Sequence, residues 1–169
     1  DHVCMVDIDE QVVDACRSHM DFGGAAWGDP RAELVFDDFM AFLRNAGRPE
    51  SPGWDVIIVD ITDAVLPGIL SGEVGSALRS ALSKDGIIGI QCGELDISDT
   101  APFEGVLEAL RHDFPQTTPY ATWISSYAAH WGFATSRPPA RFGPLLTRVD
   151  WSDLTKLTDR TLEGPPHVG

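Results

Sequence analysis

The segment that decides the fold is WDVIIVDITDA, residues 54–64. Its first six residues are nearly continuous in apolar side chains, which is typical of a central strand in a parallel sheet covered on both faces. Two aspartates, Asp60 and Asp63, follow directly. Because ligands of open α/β sheets bind beyond the carboxyl ends of the strands, the segment predicts a buried strand that ends in two carboxylates at a binding crevice.

Strand-like and helix-like segments alternate along the rest of the chain. Strands are predicted at residues 2–6, 32–36, 54–59 and 87–90. Helices are predicted from Asp9, which is the N-cap candidate of the first helix, after Asp38, at residues 75–82 and, with one apolar face, at residues 101–114. Lys84-Asp85-Gly86 predicts a turn, and residues 117–124 and 130–136 predict an antiparallel pair. This order predicts an α/β fold, with a doubly wound, mostly parallel, Rossmann-like sheet of the methyltransferase type and an antiparallel terminal hairpin.

The chain is strongly acidic. Its 169 residues include 26 Asp and Glu against 12 Lys and Arg, which gives a formal charge of −14. Such a surface repels phosphate backbones and anionic lipid, so we expect neither nucleic-acid nor membrane binding. It favours a cationic ligand such as a polyamine, although a merely solvated acidic surface is the more common reason for such a charge.

The three cysteines, Cys4, Cys16 and Cys92, form no CxxC pair, and no histidine cluster has metal-ligand spacing. They are expected to be small buried hydrophobic residues in a reducing compartment, which indicates the cytoplasm. No metal is predicted.

Two single aspartates follow the first two predicted strands. Asp7 is a candidate to accept hydrogen bonds from ribose hydroxyls, and a helix N-cap or a carboxylate in the first turn of a helix is the alternative. Asp37 could accept a hydrogen bond from an adenine amino group. Either Asp37 or its neighbour Asp38 could instead cap the helix that follows.

Asp60 and Asp63 form the strongest local signal. Two carboxylates at the mouth of a sheet repel each other unless a cation lies between them. A diamine or polyamine would neutralise both, and a metal ion is the alternative ligand. A third interpretation has one aspartate capping a turn and the other exposed.

Five segments, in order and at nearly the expected spacing, resemble those of spermidine and thermospermine synthases, the polyamine aminopropyltransferases. MVDIDE resembles MVEIDE, ELVFDDFMAFL resembles a strand-GDG-helix segment, and WDVIIVDITDA resembles WDVIIxDSSDP. KDGIIGIQCGE resembles EDGxxxxQGE, and ATWISSYAAHWGFATS is closer to the AHVPSFADTWGWVMAS type of thermospermine synthases than to a PTYPSGxIGF loop.

On the nucleoside side, the resemblance implies that Asp7 binds the ribose and Asp37 the adenine amino group. Pro67 matches a proline that lines the nucleoside pocket. On the amine side, it implies that Asp60 accepts the proton of the attacking amine or orients it.

The resemblance also implies that Asp63 binds this amine substrate and that Gln91 and Tyr127 make further contacts with it. The implied reaction transfers an aminopropyl group from decarboxylated S-adenosylmethionine, a co-substrate, to putrescine or spermidine and releases methylthioadenosine. No further cofactor and no metal are implied. The expected partners are therefore a small amine and a sulfonium nucleoside, in a homodimer.

The match also has departures. Residues 1–136 are expected to form a catalytic domain that lacks the family's first strand and glycine-rich GGGDG loop, and residues 137–169 a Pro-rich tail with a short helix at 151–157. Ala64 stands where the family has proline. Two alternatives therefore stay open, a methyltransferase that uses S-adenosylmethionine on the same fold, or a degenerate homologue without catalytic activity.

Overall fold

The computed structural model describes residues 2–21, 23–46, 53–61 and 73–137. The predicted tail beyond Arg137 lies outside this part of the chain. The strands are β1 (Val3–Asp7), β2 (Ala32–Phe36), β3 (Trp54–Val59), β4 (Leu82–Glu94), β5 (Gln116–Ile124) and β6 (Ala129–Arg137). The helices are α1 (Glu10–His19), α2 (Phe39–Ala46), α3 (Glu73–Ala81) and α4 (Ala101–Asp113), with a 3-10 turn at Ala26–Gly28.

The strands form two sheets. β1 pairs in parallel with β2, and the second sheet has the order β3-β4-β6-β5, in which β3 and β4 are parallel and the β5–β6 hairpin is antiparallel. The α/β class and the antiparallel hairpin are thereby confirmed. The rings of His2 and Trp54, at the starts of β1 and β3, stack with centroids 5.9 Å apart. The two parallel pairs therefore begin side by side.

The core lies between the four-stranded sheet and the helices that follow β2. As the helical spacing predicts, α4 and its C-cap bury one apolar face, with every side chain at most 3% exposed: Phe103, Val106, Leu107, Leu110 and Phe114. These side chains belong to one cluster with strand and helix residues that include Leu78, Ile88, Ile90, Cys92 and Ala134. Hydrophobic burial of this face is the main force that fixes α4 on the sheet.

Strand β3 departs from its prediction on one face. Val59 is 2% exposed and Ile57 packs against the core, whereas Val56 and Ile58 are 59% and 77% exposed. Since successive side chains of a strand point to opposite faces, one face of β3 contacts the core and the other is uncovered by the described residues. The expectation of a strand covered on both faces is correct for one face only.

The predicted turn at Lys84-Asp85-Gly86 lies inside β4. Trp54 pairs with Leu82, but Val56 pairs with Ile87. One residue of β3 therefore lies opposite four residues of β4, which interrupt the regular pairing. A Cβ on Gly86 would lie 2.7 Å from the carbonyl oxygen of Trp54. The close approach of the two backbones explains the glycine, and the turn residues bend a strand instead of ending one.

Helix α3 begins at Glu73 and ends at Ala81, one residue before the predicted end, because Leu82 already belongs to β4. No helix in the described ranges is long and apolar enough to cross a membrane.

Candidate active site

Asp7 is the last residue of β1 and is half-buried. Its Oδ1 accepts a hydrogen bond from the backbone N–H of Asp9, with N···O 2.8 Å. The N-cap of α1 is Asp9, whose Oδ1 accepts hydrogen bonds from the N–H groups of Gln11 at 2.9 Å and Val12 at 3.2 Å. Because Asp9 satisfies the helix terminus, the carboxylate of Asp7 is not needed as its cap.

The structure also separates the roles of the next two aspartates. Asp38 caps α2, because its Oδ1 accepts a hydrogen bond from the N–H of Ala41 at 3.0 Å. Asp37 directly follows β2 and is half-buried, and its Oδ1 accepts only the local hydrogen bond from the N–H of Asp38 at 2.8 Å among the described residues. The capping alternative therefore belongs to Asp38, and Asp37 remains the candidate for the adenine amino group.

Asp60 is the first residue after β3, and its side chain is exposed. This is the position that the strand-end rule predicts for a ligand-binding group. Asp63 and Pro67 lie outside the described residues, and their roles stay predictions.

Gln91 lies within β4 and is only 8% exposed. Its side-chain Nε2 donates a hydrogen bond to the carbonyl oxygen of Ile61. Its Oε1 accepts hydrogen bonds from the N–H of Gly93 and from the indole Nε1–H of Trp131, both at 2.9 Å. The residue predicted to contact a polyamine is thus already bonded to three groups of the protein.

Tyr127 lies in the turn of the hairpin between β5 and β6 and is 61% exposed. Its ring contacts that of Trp131, with centroids 4.6 Å apart and an interplanar angle of 44°. The following residue, Ala128, has a positive φ of 50°, which fixes a tight turn at the tip. Tyr127 is therefore exposed at the surface, and its ring packs against Trp131 of the hairpin.

The strand-end carboxylates have no cationic partner in the described part of the chain. Its ion pairs are Arg17–Asp14, Arg31–Asp29 and Lys84–Asp85, and the contacts His2–Glu33 and His112–Asp113 are ion pairs only when the histidine is protonated. None of them includes Asp7, Asp37 or Asp60. Within the same residues, no three His, Cys, Asp or Glu side chains are grouped so that they could hold a metal ion. Chemically, this arrangement can accept hydrogen bonds and attract a positive charge.

Trp131 and Gly93 are parts of this region that the sequence did not identify. Nothing in the sequence connects the indole of Trp131 to an amide forty positions earlier. Gly93 has a positive φ of 83°, and an isolated glycine inside a strand pattern was the available signal for a bulge.

The chain is similar to known proteins over most of its length. Residues 1–141 match the model of the spermine/spermidine synthase domain. The chain is 34% identical over 139 residues to a polyamine aminopropyltransferase of Synechococcus sp. strain JA-2-3B'a(2-13), a match that covers 79% of this chain and 43% of that protein. It is 31% identical over 134 residues to polyamine aminopropyltransferase 2 of Pseudomonas aeruginosa, covering 76% and 37%.

Two solved structures have the same fold. A spermidine synthase in complex with the transition-state analogue AdoDATO superimposes with a TM-score of 0.67 at 22% identity, over 80% of this chain and 44% of that one. Human methyltransferase-like protein 13 in complex with SAH gives 0.63 at 18% identity, over 99% and 74%. The chain spans less than half the length of the curated relatives it matches. By the domain that it matches, the chain belongs to the spermine/spermidine synthase family.

Proposed function

We propose that this protein transfers an aminopropyl group from decarboxylated S-adenosylmethionine to a polyamine such as putrescine or spermidine, with release of methylthioadenosine. The observation that carries the proposal is the set of carboxylates at the strand ends, Asp7, Asp37 and Asp60, without a cationic partner among the described residues. Both substrates are cations, so both would be attracted to this edge.

The donor side of the site consists of Asp7 and Asp37, with Pro67 as a further proposed contact. A ribose presents two hydroxyl donors and an adenine presents an amino donor, and carboxylate oxygens accept from both. The register that places Asp7 opposite Phe36 puts Asp37 one residue beyond it. This spacing supports the binding of one nucleoside by both aspartates.

The acceptor side is built around Asp60. A primary amine has a reference pKa near 10, so near neutral pH it must lose a proton before it can attack. In the proposed reaction, the amine nitrogen bonds to the carbon beside the sulfonium and the carbon–sulfur bond breaks with its electrons going to sulfur. Asp60 accepts or directs the departing proton, and Asp63 holds the distant ammonium group of the substrate.

The proposal can be tested with the full-length protein, decarboxylated S-adenosylmethionine and a panel of amines, with methylthioadenosine measured by chromatography. Asp60→Asn should lower the rate by about a hundredfold or more, as expected for a lost proton acceptor, and should leave nucleoside binding unchanged. Asp63→Asn should mainly raise the amine concentration needed for half-maximal rate. Asp85→Asn, an exposed aspartate in the irregular part of β4, is the matched control.

Three outcomes would contradict the proposal. Methyl transfer from S-adenosylmethionine would favour the methyltransferase alternative. Amine binding without product would favour a degenerate homologue. Loss of nucleoside binding in Asp60→Asn would contradict the role given to that residue.

The setting of the reaction is part of the proposal. We place the protein in the cytoplasm, because its three cysteines are unpaired, as is usual in a reducing compartment, and expect a homodimer. Light scattering of the full-length protein measures the assembly directly, and a monomeric mass under assay conditions would contradict the dimer.

A further inference from the structure

We propose that Gln91 is a positioning residue that joins the backbone after Asp60 to the aromatic pair Tyr127–Trp131, instead of a direct ligand of the amine. This inference rests on the proposed function, because it assigns a role within the same site. It differs from the role that the sequence indicates for Gln91, which is contact with the polyamine.

The hydrogen bonds fix the orientation of the Gln91 amide. The N–H of Gly93 and the indole N–H of Trp131 can only donate, so both must face Oε1. The carbonyl oxygen of Ile61 can only accept, so it must face Nε2. Reversing the amide would break all three bonds, and the side chain is therefore held in one arrangement.

The position of Gln91 in the sheet explains how one side chain reaches three segments. Gln91 pairs with Phe133 and Glu94 pairs with Trp131, so β4 carries one more residue than β6 in this interval. This is a β-bulge, and Gly93 takes the positive φ of 83° within it. The bond from the N–H of Gly93 to Oε1 stabilises the bulge, and the Trp131 indole donates to the same oxygen.

Two of the three bonds act on segments that carry residues predicted to contact the amine. Ile61 follows Asp60, so the bond to its carbonyl oxygen restrains the backbone that presents the Asp60 carboxylate. Trp131 contacts Tyr127, so the bond to its indole restrains the aromatic pair at the hairpin tip. Oε1 already accepts two hydrogen bonds, so an ammonium group could donate to it only by displacing Gly93 or Trp131.

The test compares Gln91→Met, which keeps the length of the side chain and removes its donors and acceptor, with the surface control Gln11→Met. If Gln91 positions other groups, Gln91→Met should lower kcat about ten- to hundredfold while the KM for the amine changes less than threefold. Trp131→Phe keeps an aromatic ring beside Tyr127 and deletes one donor. It should have a smaller effect of the same kind, and the two changes together should be non-additive.

A second readout needs no activity. The indole N–H of Trp131, assigned by its absence in Trp131→Phe, should shift and exchange faster with solvent in the NMR spectrum of Gln91→Met but not of Gln11→Met. An unmoved indole signal would overturn the inference, and so would a tenfold rise in the KM for the amine with kcat retained.

The two proposals can fail separately. If the unaltered protein forms no methylthioadenosine, the proposed function fails, and the indole signal still decides whether Gln91 holds Trp131. If Gln91→Met does not fold, Trp131→Phe carries the test, and an unchanged kcat in that variant would contradict the positioning role.

Discussion

The carbonyl oxygen of Asp7 accepts a hydrogen bond from the backbone N–H of Asp37, with N···O 3.1 Å. This bond continues the parallel ladder of β1 and β2 one step past its last pair, Asp7 and Phe36. The two carboxylates proposed to bind the nucleoside are therefore attached to one rigid edge. Their separation is set by strand pairing and not by the loops, which is the arrangement that precise recognition of one ligand requires.

Asp37 and Asp38 provide a test in which neighbouring aspartates should give opposite results. Asp38→Ala removes the N-cap of α2 and should lower the free energy of unfolding by about 1 kcal/mol, with nucleoside affinity unchanged. Asp37→Ala should weaken methylthioadenosine binding by about tenfold or more, because a charged hydrogen bond is lost, with a smaller effect on stability. Chemical denaturation and calorimetric titration measure the two quantities.

The result that would contradict this assignment is the reverse pattern. If Asp38→Ala abolished nucleoside binding while Asp37→Ala only destabilised the protein, then the second aspartate would be the ligand and the first the structural residue.

Local patterns predicted the elements of this fold well. The apolar spacing from Phe103 to Phe114 gave α4 and its buried face, because a helix that packs on a sheet must place apolar residues at this period. Asp9 was predicted as the N-cap of α1 for a similar reason, since capping needs only a short polar side chain at the right position. Both properties depend on residues that are close in the sequence.

Relationships between distant residues were not predictable in the same way. The apolar run of β3 does not reveal which face is covered, and Val56 and Ile58 are exposed while Val59 is buried. Likewise, the type of residue at Gln91 indicates hydrogen bonding but not its partner. The bond to Trp131 exists because the bulge and the antiparallel register bring the two together, and neither is visible in a short segment.

The uncovered face of β3 leads to a prediction about stability. Ile88→Ala, at a residue of the neighbouring strand β4 that is 0% exposed, should lower the free energy of unfolding by about 2–5 kcal/mol because it leaves a cavity. Ile58→Ala, at a residue that is 77% exposed, should change it by less than about 0.5 kcal/mol. Urea denaturation of the two variants provides the comparison. Equal losses would show that another part of the protein covers this face in solution.

Two glycines in neighbouring strands should respond differently to the same change. A Cβ on Gly132 would lie 2.2 Å from Cε2 of Phe103, whereas a Cβ on Gly89 would meet nothing within 4 Å. Gly132→Ala should therefore destabilise the protein by about 1–3 kcal/mol through overpacking, and Gly89→Ala should be nearly neutral. Thermal denaturation measures both.

The double variant identifies the cause of the Gly132 effect. Phe103→Leu shortens the side chain that the new methyl group would meet, so Gly132→Ala should cost less in that background than alone. Equal costs in the two backgrounds would show that the loss arises elsewhere, for example from the strand backbone.

Cys92 gives the last prediction, which concerns pH. Burial raises the pKa of its thiol from 9.0 to about 12, so at pH 8 Cys92 should hold about a thousandfold less thiolate than an ordinary cysteine and should resist iodoacetamide. Peptide mapping should find Cys4 and Cys16, which are both only half-buried, labelled before Cys92. Between pH 9 and 12 the unfolded thiol ionises while the folded one stays protonated, so stability should fall as pH rises through this range. Cys92→Ala should remove that part of the alkaline loss, and rapid labelling of Cys92 at pH 8 in the folded protein would contradict the burial on which the prediction depends.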